Sequence, residues 1–202
     1  GLKEVNVEDY LNKTFDQPVY CQIDVLDYNK RIDGKVVDMY DFFDHPEAYK
    51  SDFFRFAQVS DVYIAGHFYA TGAPYIFTRE DAKSKDFKIR VVADISCDID
   101  GPVASTLRAS TIADPVYGYD RLHEAEVDFM DPEAIAVMAV DNLPNELPRD
   151  ASQGFSENFV THVIPAFFNS DKDGILQRAR MTQNGKLTPR YEYLADYVKG
   201  LE

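Results

Sequence analysis

The chain has 202 residues, of which 45% are hydrophobic, and its 35 acidic and 21 basic residues give a formal net charge of −14 at pH 7. This charge, with no local basic patch visible in the sequence, excludes nucleic acid and anionic lipid surfaces as expected partners. The apolar runs are too short to span a bilayer and no signal pattern opens the chain, so a cytoplasmic protein is predicted. Two cysteines are too few for a disulfide framework, so reduced thiols are expected.

The first part of the chain predicts short elements separated by polar loops. Residues 1–5 read as a strand, and Asn6 caps a short helix after it. A helix is predicted from about Pro46 to Ala57, because proline suits the first helical position and aromatic side chains share one face. Residues 61–66 then read as a buried strand that ends in a glycine, and Thr78 begins another helix.

The rest of the chain continues to alternate strands with helices. Residues 87–93 and 135–140 read as strands, with a long irregular stretch between them. An amphipathic helix begins at Asp150 and is expected to be kinked or ended by Pro165, and the tail is predicted to be helical. This alternation predicts an α/β protein with a Rossmann-like, mostly parallel sheet and flanking helices.

Polar side chains follow two of the predicted strands at the point where each strand ends. Asp94 and Asp98 come after the first of them, and Asn142 follows the second. Ligands of open α/β sheets bind at the carboxyl ends of the strands, so these side chains are candidates for contacts with a ribose, an amine or a carbonyl. Each also has a structural alternative, since aspartate and asparagine commonly stabilise turns through their own backbone.

A fourth candidate is the turn after the strand at residues 61–66. Gly66 lets the backbone approach a ligand closely, and His67 could act as an acid or base or, alternatively, as a structural hydrogen-bonding residue. No metal site is predicted, because His123 and Glu124 resemble the start of a zinc motif but lack the second histidine of HExxH. The sequence contains no GxGxxG, P-loop or GxSxG motif.

Three ordered motifs carry a resemblance to a known family, and they are Asp94 to Gly101, Ser110 to Pro115 and Val140 to Arg149. They resemble the second half of the saccharopine dehydrogenase and lysine-ketoglutarate reductase family, and are similar more distantly to alanine dehydrogenase and the transhydrogenase nucleotide domain. The tail segment Asn184 to Tyr191 fits the same broader group. The resemblance implies two Rossmann-like domains facing a cleft, and hydride transfer between NAD or NADP and an amino acid or its imine.

The same resemblance assigns roles to individual residues. It implies cofactor contacts from Ala65, Gly66, His67, Phe68, Asp98, Asn142 and Leu143. Asp98 would lie beside the nicotinamide ribose and the substrate, and Asn142 would face the reacting centre, so both are expected to be catalytic. Residues 1–143 would be the remainder of an NAD(P)-binding domain without its first βα unit. Residues 144–202 would be a helical crossover segment packing toward a catalytic domain outside this sequence.

The predicted function is therefore that of the carboxyl-terminal half of an NAD(P)-dependent amino-acid oxidoreductase of the saccharopine type. The isolated chain is expected to be inactive and to bind NAD(P) weakly or not at all. The alternatives are an alanine dehydrogenase-like enzyme and a non-catalytic Rossmann-like interaction module. The expected partners are a small amino-acid substrate and further copies of the chain. Homo-oligomers are expected because the missing unit would leave a sheet edge and four apolar side chains partly uncovered, those of Val62, Ile64, Val91 and Val137.

Overall fold

A computed structural model describes residues 1–69 and 72–201 and divides the chain into two compact units, Gly1–Leu143 and Pro144–Glu202. In chain order, the strands and α-helices of the first unit are β1 (Lys3–Glu4), α1 (Val7–Asn12), β2 (Val19–Tyr20), α2 (Val25–Tyr28), β3 (Asn29–Arg31), α3 (Met39–Asp44), β4 (Tyr49–Ser51), α4 (Phe54–Ala57), β5 (Val62–Ala65), α5 (Arg79–Lys83), β6 (Val91–Asp94), β7 (Val116–Asp120), β8 (Ala125–Val127) and β9 (Ile135–Met138).

A five-stranded sheet with the order β5-β6-β9-β7-β8 forms the centre of the first unit. β5, β6 and β9 run parallel, with Val92 of β6 opposite Tyr63 of β5 and Val137 of β9. β7 pairs antiparallel with both β9 and β8. The α/β, Rossmann-like fold predicted from the sequence is confirmed, and the sheet is mixed because β7 and β8 add an antiparallel edge to the parallel strands.

The core of the first unit lies on one face of this sheet. Strand side chains alternate between the two faces, so Val92, Val137 and Tyr119 point to the same side and are fully buried there. Aromatic residues outside the sheet pack against them, and Phe53 has its ring centroid 4.7 Å from that of Tyr63. Burying large aromatic side chains is the main stabilisation of such a core.

The opposite face of the sheet carries exposed apolar side chains. Val62, Ile64 and Val91 are 54%, 64% and 41% exposed, as predicted. The same prediction was wrong for Val137, which is fully buried because it lies on the other face of the sheet. β5 is also the edge strand of this sheet.

The predicted helix from Pro46 to Ala57 was wrong. Only Pro46–Ala48, in a 3₁₀ turn, and α4 are helical, and β4 lies between them. β4 pairs antiparallel with β3, and the Ser51 hydroxyl donates to the carbonyl of Ile76 at 2.7 Å. These long-range partners outweigh a helical pattern that the local sequence alone supports.

The stretch between the predicted strands at 87–93 and 135–140 is not irregular, since it forms β7 and β8. The signal is present in the sequence, because Tyr117 and Tyr119 alternate with smaller residues at the spacing of a strand. Both tyrosines are buried.

The predicted helix starts were confirmed where a local cap defines them. Asn6 accepts a hydrogen bond from the backbone N–H of Asp9 at 2.8 Å and begins α1. Thr78 forms a reciprocal capping box with Asp81 at the start of α5.

The second unit is mainly helical. Its elements are α6 (Pro148–Asn158), a π-helical segment (Phe159–Val163), α7 (Ile164–Phe168), α8 (Ile175–Ala179), β10 (Thr182–Gln183), β11 (Lys186–Leu187), a 3₁₀ segment (Pro189–Leu194) and α9 (Ala195–Val198). The chain stays helical through Pro165, and the wider π turn lies immediately before this proline, which has no N–H to donate. The tail is not continuously helical, because β10 and β11 form a hairpin. In the described ranges, every helix is too short or too polar to cross a bilayer.

Gly118 of β7 is expected to be the least replaceable glycine of the sheet. A Cβ built at this position lies 2.5 Å from the carbonyl oxygen of Asp128, a backbone atom that cannot move away independently. Gly118→Ala should lower the free energy of unfolding by about 2 kcal/mol or more. Gly154→Ala in α6 is the matched control, since no atom lies within 4 Å of its Cβ, and this change should be neutral or stabilising. Equal denaturation midpoints for the two variants would contradict the packing described at Gly118.

Candidate functional site

The carboxyl ends of β5, β6 and β9 meet at one edge of the sheet, which we call the carboxyl edge and define as residues 65–68, 94–101 and 139–143. The carbonyl of Ala65 accepts hydrogen bonds from the backbone N–H of Ile95 at 2.8 Å and of Ser96 at 3.3 Å. The Cys97 thiol donates to the carbonyl of Ala139 at 3.0 Å. The structure therefore brings together the three segments that follow the predicted parallel strands.

Asp94 holds the turn after β6. Its carboxylate is fully buried and accepts hydrogen bonds from the backbone N–H of Cys97 at 3.1 Å and from the Thr106 hydroxyl at 2.6 Å. Cys97 has a φ of 56°, in the left-handed region, and the hydrogen bond that its N–H donates to Asp94 holds it there. Of the two alternatives for Asp94, the geometry favours the structural one, because both of its oxygens are engaged.

The loop that follows is also fixed by short-range contacts. The backbone N–H of Gly101 donates to the carbonyl of Asp98 at 3.0 Å, and a Cβ at Gly101 would meet Asp98 atoms at 2.7 Å. A side chain at position 101 would displace Asp98. Glycine at this position thus helps to place the Asp98 carboxylate.

Asp98 and Asn142 are two of the polar side chains that the carboxyl edge leaves without a hydrogen-bond partner in residues 1–69 and 72–201, and Asp141 is another. Asp98 is half-buried and Asn142 is exposed, and in the described part of the chain neither side chain makes a hydrogen bond. Both are free to bind a ligand at this edge. A carboxylate accepts hydrogen bonds from hydroxyls or a cationic amine, and a carboxamide can both donate and accept.

His67 lies at the same edge and contacts Ser96. Its Nδ1 is 3.2 Å from the Ser96 hydroxyl, and its Nε2 is buried without a hydrogen-bond partner among residues 1–69 and 72–201. Burial lowers the pKa of His67 below 6.5, and the nearby carboxylates of Asp94 and Asp98 oppose this shift. The ring is therefore neutral at pH 7, with one nitrogen that can donate or accept a proton.

The remaining predicted cofactor residues differ in accessibility. Ala65 is fully buried and its carbonyl accepts hydrogen bonds from the segment after β6, so it positions the turn rather than offering a contact. Apart from its chain neighbours, no atom of residues 1–69 and 72–201 lies within 4 Å of a Cβ built at Gly66, and Phe68 is 89% exposed. Leu143 is half-buried and begins a 3₁₀ turn at Leu143–Asn145.

Cys97 is not equipped to act as a nucleophile. Burial raises the pKa of its thiol above the usual value of 9.0, and the carboxylates of Asp94, Asp141 and Asp98 add to this effect. The thiol stays protonated at neutral pH and serves as a hydrogen-bond donor. Within the described ranges, no group of three His, Cys, Asp or Glu side chains is arranged to hold a metal ion.

Sequence reasoning did not identify Ser96 and Thr106 as partners of His67 and Asp94. Neither contact has a local signal, since the first joins residues 29 positions apart and the second joins residues 12 positions apart. The hydroxyls could be assigned only after the strands were placed side by side.

Because of His67, the protein should lose stability, so that its free energy of unfolding decreases, as the pH falls through the range below 6.5. A histidine whose pKa is lowered by folding binds fewer protons in the native state than in the unfolded state, so acidification favours unfolding. His67→Gln should remove this contribution, and the variant should lose less stability than the wild type between pH 7.5 and 5.5. An NMR titration of His67 with a midpoint above 6.5 would contradict the expectation.

Comparison with known proteins finds relatives along most of the chain. The alpha-aminoadipic semialdehyde synthase of Arabidopsis thaliana is 29% identical over 168 residues, which are 80% of this chain and 16% of the relative. The mitochondrial enzyme of the same name from Mus musculus is 25% identical over 191 residues, covering 82% of this chain and 20% of the relative. A lysine-forming, NAD(+) saccharopine dehydrogenase of Schizosaccharomyces pombe is 28% identical over 109 residues, covering 52% and 27%.

No family model matches the chain. The chain spans between 16% and 23% of the length of the synthases it matches. It spans 27% to 32% of the two saccharopine dehydrogenases. The identities are modest, but the matches to the synthases cover at least 80% of the chain. The chain is thus a homologue, at modest identity, of alpha-aminoadipic semialdehyde synthases and of lysine-forming saccharopine dehydrogenases.

Proposed function

We propose that the chain is part of an NAD(P)-dependent amino-acid oxidoreductase of the saccharopine type and contributes the carboxyl edge to its nicotinamide site. The observation that carries this proposal is the meeting of three parallel strand ends with polar groups that have no hydrogen-bond partner among residues 1–69 and 72–201. These groups include the side chains of Asp98 and Asn142 and the Nε2 atom of His67. This edge is where open α/β sheets bind ligands. The names of the relatives support the reaction class.

The residues at this edge fit a dinucleotide. Among the described residues none occupies the space that a side chain at Gly66 would fill, so a ligand could approach the backbone there. The buried Nε2 of His67 lacks a hydrogen-bond partner in the described part of the chain, and a ligand would supply one. A bound nicotinamide would accept or donate a hydride.

The chain's own residues would position the reactants. The Asp98 carboxylate would accept hydrogen bonds from ribose hydroxyls or from a substrate ammonium group. The Asn142 carboxamide would orient a carbonyl or amine without adding charge. His67, neutral at pH 7, would hold or release a proton at Nε2.

The test of the proposal is an absorbance assay at the 340 nm band of reduced nicotinamide, using the protein expressed from its complete gene. Lysine with 2-oxoglutarate and NAD(P)H, and separately saccharopine with NAD(P)+, should each be tried, with alanine and pyruvate as the alternative substrates. Turnover of the saccharopine pair supports the proposal. Turnover of alanine alone would favour the alanine dehydrogenase-like alternative. No change with any combination would overturn the proposal and favour a non-catalytic module.

We also propose that the chain forms homo-oligomers through β5. Its outer edge is unpaired within the described sheet, and the adjacent face exposes Val62, Ile64 and Val91. Two copies related by a two-fold axis could pair these edges and cover the apolar side chains. Light scattering should show a mass above the 23.0 kDa of one chain. Ile64→Lys should restore the monomer, and a monomeric wild-type chain would contradict the expectation.

A further inference from the structure

A second concave surface lies at the amino-terminal ends of β5, β6 and β9, opposite the carboxyl edge. It is a cavity of about 730 Å³ beside the residues that precede β5, β6 and β9, among them Asp61, Arg90 and Ala134. Cavities of this size accommodate small molecules. None of the residues of the proposed nicotinamide site lines it.

Two guanidinium groups in this cavity are positioned by backbone carbonyls. Arg90 donates to the carbonyl of Pro132, and Arg121 donates to the carbonyls of Phe87 at 3.4 Å and Glu133 at 3.3 Å. These hydrogen bonds orient the side chains without neutralising their charge. Oriented guanidinium groups bind oxyanions in a bidentate manner.

Two lysines add further positive charge to the same surface. Lys85 and Lys88 line the cavity with the two arginines, and none of these four cations has a carboxylate within 4.0 Å in residues 1–69 and 72–201. Elsewhere in the described part of the first unit, only Lys3 and Lys50 lack such a partner. Folding therefore places Arg121 beside the basic side chains of residues 83–90.

The cavity also contains carboxylates, and two of them are already engaged. Asp120 contacts His123 Nδ1 at 2.6 Å, and Asp131 accepts a hydrogen bond from the backbone N–H of Glu133 at 2.9 Å. Asp61 and the Glu133 side chain remain on the lining. A hydrogen bond does not remove the charge of a carboxylate, so all four carboxylates oppose an anion, and a singly charged anion would gain little against them. A ligand with several adjacent negative charges would gain more from Arg90, Arg121, Lys85 and Lys88, which line the same cavity.

We propose that this cavity is a binding site for a small molecule that carries two adjacent phosphate groups. The arginines would bind phosphate oxygens in fixed orientations, and the flexible lysines would neutralise the remaining charge. The site is independent of the nicotinamide site proposed above, because the two lie at opposite edges of the sheet and share no residue. A ligand here would mark a regulatory or second-substrate site.

Calorimetric titration with inorganic pyrophosphate tests this proposal on the protein expressed from its complete gene. The wild type should bind pyrophosphate saturably, with a clear preference over sulfate. The double variant Lys85→Glu/Lys88→Glu should bind it at least about tenfold more weakly, since two attractive charges become repulsive. The double variant Lys3→Glu/Lys50→Glu makes the same change in net charge outside the cavity and should bind as the wild type does.

A third variant separates this site from the proposed nicotinamide site. Asn142→Ala should leave pyrophosphate binding unchanged, whatever it does to NAD(P) binding. Loss of pyrophosphate binding in Asn142→Ala, but not in Lys85→Glu/Lys88→Glu, would place the anion at the carboxyl edge and overturn the proposal. If both lysine double variants weaken pyrophosphate binding equally, the change in net charge explains the effect and the proposal is overturned. Absence of pyrophosphate binding to the wild type would also refute the site.

Discussion

Replacing Asp94 with alanine is expected to lower the free energy of unfolding by about 3 to 5 kcal/mol, the largest stability effect at the carboxyl edge. The carboxylate is fully buried and receives two hydrogen bonds, from the Cys97 N–H and the Thr106 hydroxyl. Alanine would leave both donors without a partner and open a small polar cavity. Urea denaturation of the variant measures the loss.

Asp94→Asn is the matched control for this substitution. Its amide oxygen can still accept the Cys97 N–H, and its amino group can donate to the Thr106 hydroxyl after that hydroxyl rotates, so the expected loss is smaller, about 1 to 2 kcal/mol. If Asp94→Ala costs less than Asp94→Asn, the carboxylate is not the group that holds the turn.

Substitution of Asp98 by asparagine, or of Asn142 by alanine, is expected to lower kcat/KM for saccharopine by at least tenfold. Neither side chain makes a hydrogen bond in the described part of the chain, so their loss should leave the fold intact and remove only contacts made to ligands. A tenfold loss corresponds to about 1.4 kcal/mol of transition-state stabilisation. Steady-state kinetics at 340 nm and thermal melting of each variant measure the two quantities.

Asp16→Asn is the control for the loss of one exposed carboxylate outside the carboxyl edge, and it should retain wild-type kinetics. Wild-type rates with unchanged melting in Asp98→Asn and Asn142→Ala would refute both assigned roles. A lower melting temperature with unchanged rates would instead make these residues structural.

Local signals predicted the elements that position the carboxyl edge. The apolar runs of β5, β6 and β9 identify strands, and the caps at Asn6 and Thr78 depend on residues within the next three positions. The polar residues after β6 and β9 could be assigned to one edge, since the ends of parallel strands lie together.

Contacts between residues distant in sequence determine the parts of the fold and of the site that the sequence pattern did not predict. The segment Pro46 to Ala57 has helical spacing, but β4 pairs with β3 and Ser51 binds the Ile76 carbonyl. The His67–Ser96 contact and the clustering of Arg121 with Lys85 likewise join residues that are distant in sequence. Such contacts depend on how the strands are placed side by side, so they left no local pattern to read.

The central claim, that the carboxyl edge binds the nicotinamide dinucleotide, is tested most directly by hydrogen–deuterium exchange on the protein expressed from its complete gene. Added NAD(P) should slow amide exchange at residues 66–68, 95–101 and 140–143, and leave residues 120–134 near the opposite cavity unchanged. Protection confined to residues 120–134, or none at the carboxyl edge under saturating cofactor, would contradict the account.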